Sequence, residues 1–235
     1  MTHRRPLLTA IAALVVLGAV PAACSSDDSA STTTTGTGHA GHDGGSGTYG
    51  SSMAPETVSV AKVAALGPGP RVGDTWSGTI GLNVCGRFLE PPTAAGAPVD
   101  GVGTDGTGHF SVVPTTPAQA GHAATVGKLL QQTGISMSTG SLSLPPSTRP
   151  ATIEQGTGVE QVAGATFETG QKCGTTPAEV QLWIYTKEAA DTGQAVRQVV
   201  TDPQDVPVAQ DGMVFVVAFS PASSLPTLPP SALAG

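Results

Sequence analysis

The first 24 residues constrain the fold most, because they separate an export segment from the part of the chain that folds. A basic start containing Arg4 and Arg5 precedes an uncharged, mostly aliphatic run over residues 7–20. Small residues then lead to Cys24. This order is typical of a secretory signal. We therefore predict a signal peptide over residues 1–23 and folding of the remainder outside the cytoplasm.

The aliphatic run is too short for a permanent membrane span. It covers about fourteen residues, and at about 1.5 Å of helical rise per residue it falls short of the roughly 30 Å hydrocarbon core of a bilayer. Later apolar segments are interrupted by proline, glycine or polar residues. We expect export rather than a transmembrane helix.

The residues before Cys24 resemble the lipobox of bacterial lipoprotein signals. They read Pro21-Ala22-Ala23-Cys24. The resemblance implies that the thiol receives a diacylglyceryl group and that the cysteine becomes the first residue of the mature chain. Acyl chains such as palmitate anchor stably in pairs, because each buried methylene contributes about 0.8 kcal/mol. We expect a lipid anchor on the extracytoplasmic face of the cell membrane; the alternative is ordinary cleavage that leaves a free thiol.

The other two cysteines are Cys85 and Cys173. With Cys24 carrying lipid, an exported chain most simply pairs the remaining two, and we predict that disulfide. The alternatives are a catalytic thiol or a metal pair. Neither cysteine belongs to a Cys-x-x-Cys motif or has a neighbouring histidine, which are features common in zinc sites.

Composition limits the fold class and the partners. The net charge is −7, only 11% of residues are charged, and the chain has 31 glycines and 20 prolines. An acidic chain without basic clusters is unsuited to nucleic acid. Few charges and many turn residues favour strands and loops over long surface helices. We predict the α+β class: a single, mostly antiparallel β domain with one main helix, after a disordered tether.

Three regions follow the signal peptide. Residues 24–55 are rich in Ser, Thr and Gly, with too few apolar side chains to offset chain entropy, so they predict a disordered linker. Its reach is on the order of 30 Å by the scaling of Gly/Ser chains. Residues 56–221 are long enough for one hydrophobic core and form the predicted domain. Residues 222–235 are rich in proline and predict an extended tail.

Alternating apolar and polar residues predict strands over 76–84 and 180–185. The turn signal Asp211-Gly212 precedes the most apolar run, at 213–219, which predicts a central strand. Shorter strands are expected at 109–113, 141–144 and 165–168.

The main helix is expected between Pro117 and Thr133. Thr116-Pro117 is a helix start, apolar residues follow at helical spacing, and Gly134 fits the position just past the helix end.

Three histidines are candidate metal ligands: His39 and His42 in the linker, and His109 in the domain. Imidazole suits Cu²⁺ and Zn²⁺. Structural zinc sites normally offer four ligands, so the two linker histidines alone leave the coordination shell incomplete. Metal handling is therefore an alternative function, and no cofactor is predicted.

Asp105, His109 and Ser111 have the residue types of a hydrolase triad. The Gly-x-Ser-x-Gly motif is absent, and triads are recognised by geometry rather than by closeness in sequence. We predict no catalytic residue and keep a cell-envelope hydrolase or transferase as an alternative.

Trp183 and Tyr185 are the candidate binding residues. They alternate with Val180, Leu182 and Ile184, so they lie on the opposite face of the same strand. That face must be covered by a helix or loops, or else form an exposed aromatic patch for a partner.

Four segments resemble a group of actinobacterial exported lipoproteins of unknown function. They cover most of residues 73–221 and read Gly73-Asp74-Thr75-Trp76 through Leu82-Asn83-Val84-Cys85-Gly86, Ala123-Ala124-Thr125-Val126-Gly127-Lys128-Leu129, Lys172-Cys173-Gly174 and Asp211-Gly212. The resemblance implies the same Cys85–Cys173 pair and brings no known activity. Members often carry histidines near the first strand and the following loop; this chain has Thr75, Ser77 and Thr79 at the first and keeps His109 in the second.

These features together predict a membrane-anchored, extracytoplasmic lipoprotein with a non-catalytic binding domain. The expected partners are the membrane, through the lipid, and a cell-envelope protein or polymer.

Overall fold

The computed structural model describes residues 56–149, 162–192, 197–199 and 202–233. The signal peptide, Cys24, and the linker with His39 and His42 lie outside these residues. Within them the chain forms a large, mostly antiparallel mixed sheet and four α-helices. The predicted α+β class is therefore confirmed.

Strands account for most of the regular structure in the described chain. They are β1 Glu56–Val58, β2 Trp76–Val84, β3 Arg87–Phe88, β4 Val102–Thr104, β5 His109–Val112, β6 Ser136–Met137, β7 Ser141–Ser143, β8 Thr166–Glu168, β9 Lys172–Cys173, β10 Thr176–Pro177, β11 Glu179–Tyr185, β12 Arg197–Val199 and β13 Val214–Ser220.

The helices are short. The α-helices are α1 Val60–Ala64, α2 Val126–Thr133, α3 Lys187–Thr192 and α4 Pro230–Leu233, and 3-10 turns occur at Pro117–Gln119, Gly121–Ala123 and Pro203–Asp205.

The main sheet runs in the order β1-β12-β11-β13-β2-β5-β4, and β3 pairs with β2. Two neighbouring pairs are parallel, β1 with β12 and β13 with β2, and the others are antiparallel. Strand β13 lies in the middle and is buried along its whole length, which confirms the predicted central strand. Two small sheets, β6-β7-β8 and β9-β10, accompany it.

One face of the main sheet carries the larger hydrophobic core. Alternate residues of β2, β11 and β13 point into it, and α2 covers it with Val126, Leu129 and Leu130. These three side chains are at most 2% exposed. Complete burial of such a side chain contributes about 1.5–3 kcal/mol.

The second face holds a smaller cluster around Trp183 and Tyr185 of β11. Ala189 of α3 covers part of this cluster, and Leu228 and Ala232 from the end of the chain cover another part. Residues 221–233, which we call the strap, therefore pack against the domain. The segment predicted as an extended tail lacks regular structure over residues 221–229 and lies on the sheet.

The predicted helix is wrong in its first half. Gly121 has a φ of +62°, a left-handed conformation that ends a helix. Ala120 and Ala124 are extended, so residues 117–123 form two separate 3-10 turns. Gly134, with φ 73°, ends α2 as predicted.

Candidate functional site

Cys85 and Cys173 form a disulfide with an S–S distance of 2.04 Å, which confirms the predicted pair. Cys85 follows β2 in a turn where the Asn83 side-chain oxygen accepts a hydrogen bond from the Gly86 amide at 3.0 Å. Cys173 lies in β9, so the bond ties the β9-β10 hairpin to the end of β2. Since both sulfurs are bonded to each other, a catalytic thiol or a cysteine metal pair is excluded in this state.

The clefts on the described surface include one beside the disulfide and one beside the β6-β7-β8 sheet. The larger, about 310 Å³, lies beside the disulfide and is lined by Gly86, Gly174 and Ser224 among others. The smaller cleft, about 140 Å³, lies between the β6-β7-β8 sheet and β11. Its lining includes the apolar Leu182 and the polar Glu179. Typical ligand pockets have volumes of roughly 300–1,000 Å³, so the larger cleft lies at the lower end of that range and the smaller cleft lies below it.

A row of polar side chains crosses strands β2 and β5 on the second face. Ser77 lies opposite Ser111, and Thr79 lies opposite His109. Directly opposite residues of antiparallel strands have Cβ atoms about 4.5–5.5 Å apart. Ser77, His109 and Ser111 are exposed, whereas Thr79 is buried. We call these four residues the polar strip.

Carboxylates lie at both ends of the polar strip. The Ser77 amide donates to Asp211 Oδ1 at 2.7 Å. Near the other end, Asp105 Oδ1 accepts from the Thr107 amide at 2.8 Å and from the Thr107 hydroxyl at 2.7 Å. These two hydrogen bonds, with the nearby charge of His109, lower the pKa of Asp105. The strip therefore presents hydroxyls and an imidazole between two anionic groups.

The three candidates for a catalytic triad come to one end of β5. His109 and Ser111 are two residues apart on the same face of β5, so their backbones are separated by roughly 6.6 Å along the strand. Asp105 accepts its hydrogen bonds from Thr107. No hydrogen bond joins the three side chains in the described part of the chain.

The metal candidates divide between the two parts of the chain. His109 is exposed on β5, and His39 and His42 lie outside the described residues. Within residues 56–149, 162–192, 197–199 and 202–233 there is no group of three or more His, Cys, Asp or Glu side chains placed to hold a metal.

Trp183 and Tyr185 lie on the face that the alternation indicated, and both are covered. They are 1% and 2% exposed. The Trp183 indole donates to Gln181 Oε1 at 2.7 Å, and the Tyr185 hydroxyl donates to the Pro226 carbonyl at 2.5 Å. Burial raises the pKa of Tyr185 to about 12. The pair is therefore part of the interior and forms no open aromatic patch in this fold.

Two features of this face were not predicted from the sequence. The polar strip depends on the pairing of β2 with β5, although the alternating Ser77 and Thr79 already marked a polar face. The packing of the strap was not predicted either, because prolines indicate an extended segment without indicating where it packs.

Comparison of the chain with protein-family models, curated proteins and solved structures finds no match. In the described residues, no helix has the length and apolar character needed to cross a bilayer. The similarity to actinobacterial exported lipoproteins stays a prediction.

Proposed function

We propose that this chain is a lipoprotein anchored through Cys24 to the extracytoplasmic face of the cell membrane, and that its domain binds an envelope polymer without catalysis. The observation that carries the proposal is the Cys85–Cys173 bond. Disulfides persist in oxidising compartments outside the cytoplasm. Of three cysteines, only Cys24 then lacks a partner within the chain, and it follows directly on the export signal.

The distance between anchor and domain supports the same function. The first described strand, β1, begins at Glu56, so residues 25–55 separate it from the proposed lipid. A Gly/Ser-rich segment of this length has a reach on the order of 30 Å. The domain is then held near the bilayer while it searches the surrounding envelope.

The polar strip supports the choice of an envelope polymer. Its exposed hydroxyls and imidazole donate and accept hydrogen bonds, and Asp105 and Asp211 add acceptors beside it. Such groups match a hydroxyl-rich polysaccharide. Because the strip lies on two paired strands, little conformational freedom is lost on binding.

Anchoring is tested by Cys24→Ala, with Ser25→Ala as the matched control. Cys24→Ala removes the thiol that is proposed to be acylated, whereas the control changes the next residue and keeps that thiol. We expect the first variant in the culture medium and the second in the detergent phase with the wild type. Equal partitioning of both variants would contradict the lipid anchor.

Polymer binding is tested by Ser111→Arg, which places a bulky cation in the strip. Ser136→Arg makes the same change at an exposed serine of β6, which belongs to a different sheet from β5. We expect at least tenfold weaker co-sedimentation with isolated envelope polysaccharide for Ser111→Arg alone. Equal binding by the two variants would exclude the strip as the binding surface.

An envelope hydrolase is the second candidate, favoured by the position of Asp105 near the His109 end of β5, where the charge of His109 contributes to the lowered pKa of Asp105. It predicts that wild-type protein releases soluble fragments from isolated envelope and that His109→Ala does not. Fragment release by wild type, lost in that variant, would replace the non-catalytic proposal.

A further inference from the structure

The strap leaves the sheet where β13 ends at Ser220 and crosses the second face before ending in α4. It contains Pro221, Pro226, Pro229 and Pro230. Proline fixes φ near −65° and has no amide hydrogen, so it favours an extended form that does not join a sheet ladder. The four prolines therefore cannot donate backbone hydrogen bonds to the sheet. The strap contacts the sheet through side chains and the Pro226 carbonyl group.

The surface beneath the strap combines aromatic rings with one hydrogen-bond donor. The Tyr185 hydroxyl donates to the Pro226 carbonyl. Leu228 and Ala232 pack against the cluster that contains Trp183 and Tyr185. We call this surface the strap groove. Aromatic surfaces with a donor for a proline-segment carbonyl are a recurring way to bind proline-rich peptides.

Glycines make room for the strap. A Cβ on Gly81 would lie 2.6 Å from Cβ of Pro229 and 2.9 Å from the ring of Phe88. A Cβ on Gly108 would lie 2.5 Å from the Ser231 hydroxyl. Such distances are not tolerated by real side chains, so the groove depends on glycine at both positions.

Residues 221–233 form no strand of the main sheet. The hydrogen bond from the Tyr185 hydroxyl to the Pro226 carbonyl joins the strap to the sheet. Leu225 and Leu233 point outward and are 46% and 70% exposed. Removal of the strap would break no strand pairing of β13, so its opening is local and needs less than global unfolding.

We propose that the strap groove is a recognition site for proline-rich extended peptides, which the strap fills in cis and a partner's proline-rich segment fills when the strap leaves. The inference rests on the proposed function only in treating the domain as a binding module. Its occupant is a polypeptide, whereas the polar strip takes a polymer of the envelope.

The test uses full-length protein purified in detergent, with a protease site inserted between Ala222 and Ser223, which are both exposed. After folding and cleavage, a fluorescent synthetic peptide of residues 223–235 is added and its anisotropy is measured. We expect the peptide to replace the cleaved strap. Uncut protein should bind it at least tenfold more weakly, because its own strap stays tethered to the groove.

Two comparisons make the result specific. A peptide with Pro226, Pro229 and Pro230 changed to alanine should bind at least tenfold more weakly. Gly81→Ala in the cleaved protein should also weaken binding, whereas Gly140→Ala should not, since a Cβ at Gly140 meets nothing within 4 Å. Equal binding of the alanine peptide, or equal effects of the two glycine variants, would overturn the proposal.

A second variant covers the case in which cleavage unfolds the domain. Uncut Leu228→Ala removes a strap side chain that packs against the Trp183 and Tyr185 cluster and leaves the groove unchanged. It should bind the wild-type peptide more tightly than uncut wild type does; no difference would overturn the proposal. A stable dimer with exchanged straps would also overturn it, by assigning the groove to a second copy. Since Cys24 and the polar strip are unchanged throughout, failure here leaves anchoring and polymer binding separately testable.

Discussion

Tyr185 shows how one side chain links the sheet to the end of the chain. Its ring is buried and its hydroxyl donates to the Pro226 carbonyl. Burial raises the pKa of Tyr185 from 10.0 to about 12. Stability from the neutral phenol is complete below pH 10 and is lost as the pH rises towards 12, because the unfolded chain ionises first. We predict that the free energy of unfolding, measured with urea, falls across this window.

The control for that prediction is Tyr185→Phe. This variant should lose about 1 kcal/mol at neutral pH, the typical net value of one hydrogen bond. It should also show a shallower decline of stability above pH 10. Identical pH profiles for the two proteins would contradict the assigned burial of the phenol.

The disulfide is the other single-residue feature with a large expected effect. It joins positions 88 residues apart, and closing a loop of this size stabilises by about 4 kcal/mol in the chain-entropy model. We predict that Cys85→Ala with Cys173→Ala lowers the free energy of unfolding by that order, measured by urea unfolding. Wild-type protein in reductant should behave like the double variant, and equal stability of reduced and oxidised wild type would contradict the prediction.

Strand β4 lies at the edge of the main sheet, and α2 closes part of that edge. The Gln132 side chain accepts from the Thr104 amide at 2.7 Å and donates to the Gly96 carbonyl at 3.3 Å. Gln132 is 4% exposed. Gln132→Ala should cost about 1–3 kcal/mol, because the partly buried Thr104 amide loses its acceptor.

The neighbouring Gln131 offers a matched control on the same helix, since its side chain is exposed. Gln131→Ala should change the unfolding free energy by less than about 0.5 kcal/mol. Equal destabilisation by the two variants, measured by urea unfolding, would show that Gln132 does not hold the edge.

The long strands were predictable because their sequences carry the period of a strand. Residues 76–84 and 180–185 alternate, and 213–219 is continuously apolar, as fits a strand buried on both faces. The short strands β6, β9 and β10 have two residues each, too few for any period. The helix prediction failed at Gly121 because its left-handed φ is a property of the folded chain.

The candidate site was less predictable than the elements. Periodicity placed Trp183 and Tyr185 on the second face, but part of their cover comes from the strap, more than thirty-five residues later in the chain. The polar strip needs Ser77 opposite Ser111 and Thr79 opposite His109. That register arises from tertiary pairing, which a single sequence does not encode in a local pattern.

At the scale of the whole molecule, the Cys85–Cys173 disulfide closes the described domain, and the proposed signal peptide and lipid anchor precede that domain in the sequence. The domain begins with β1 at one edge of its sheet and ends with the strap on the second face. The polar strip and the strap groove lie on the same face of the main sheet, so the two proposed binding sites are neighbours.

The most direct test of the central claim is mass spectrometry of the N-terminal peptide of the mature protein from its native membrane. We predict a peptide that begins at Cys24 and carries the mass of a diacylglyceryl group, with or without a further acyl chain on the amine. A mature chain that begins elsewhere, or that carries an unmodified Cys24 thiol, would contradict the lipoprotein account.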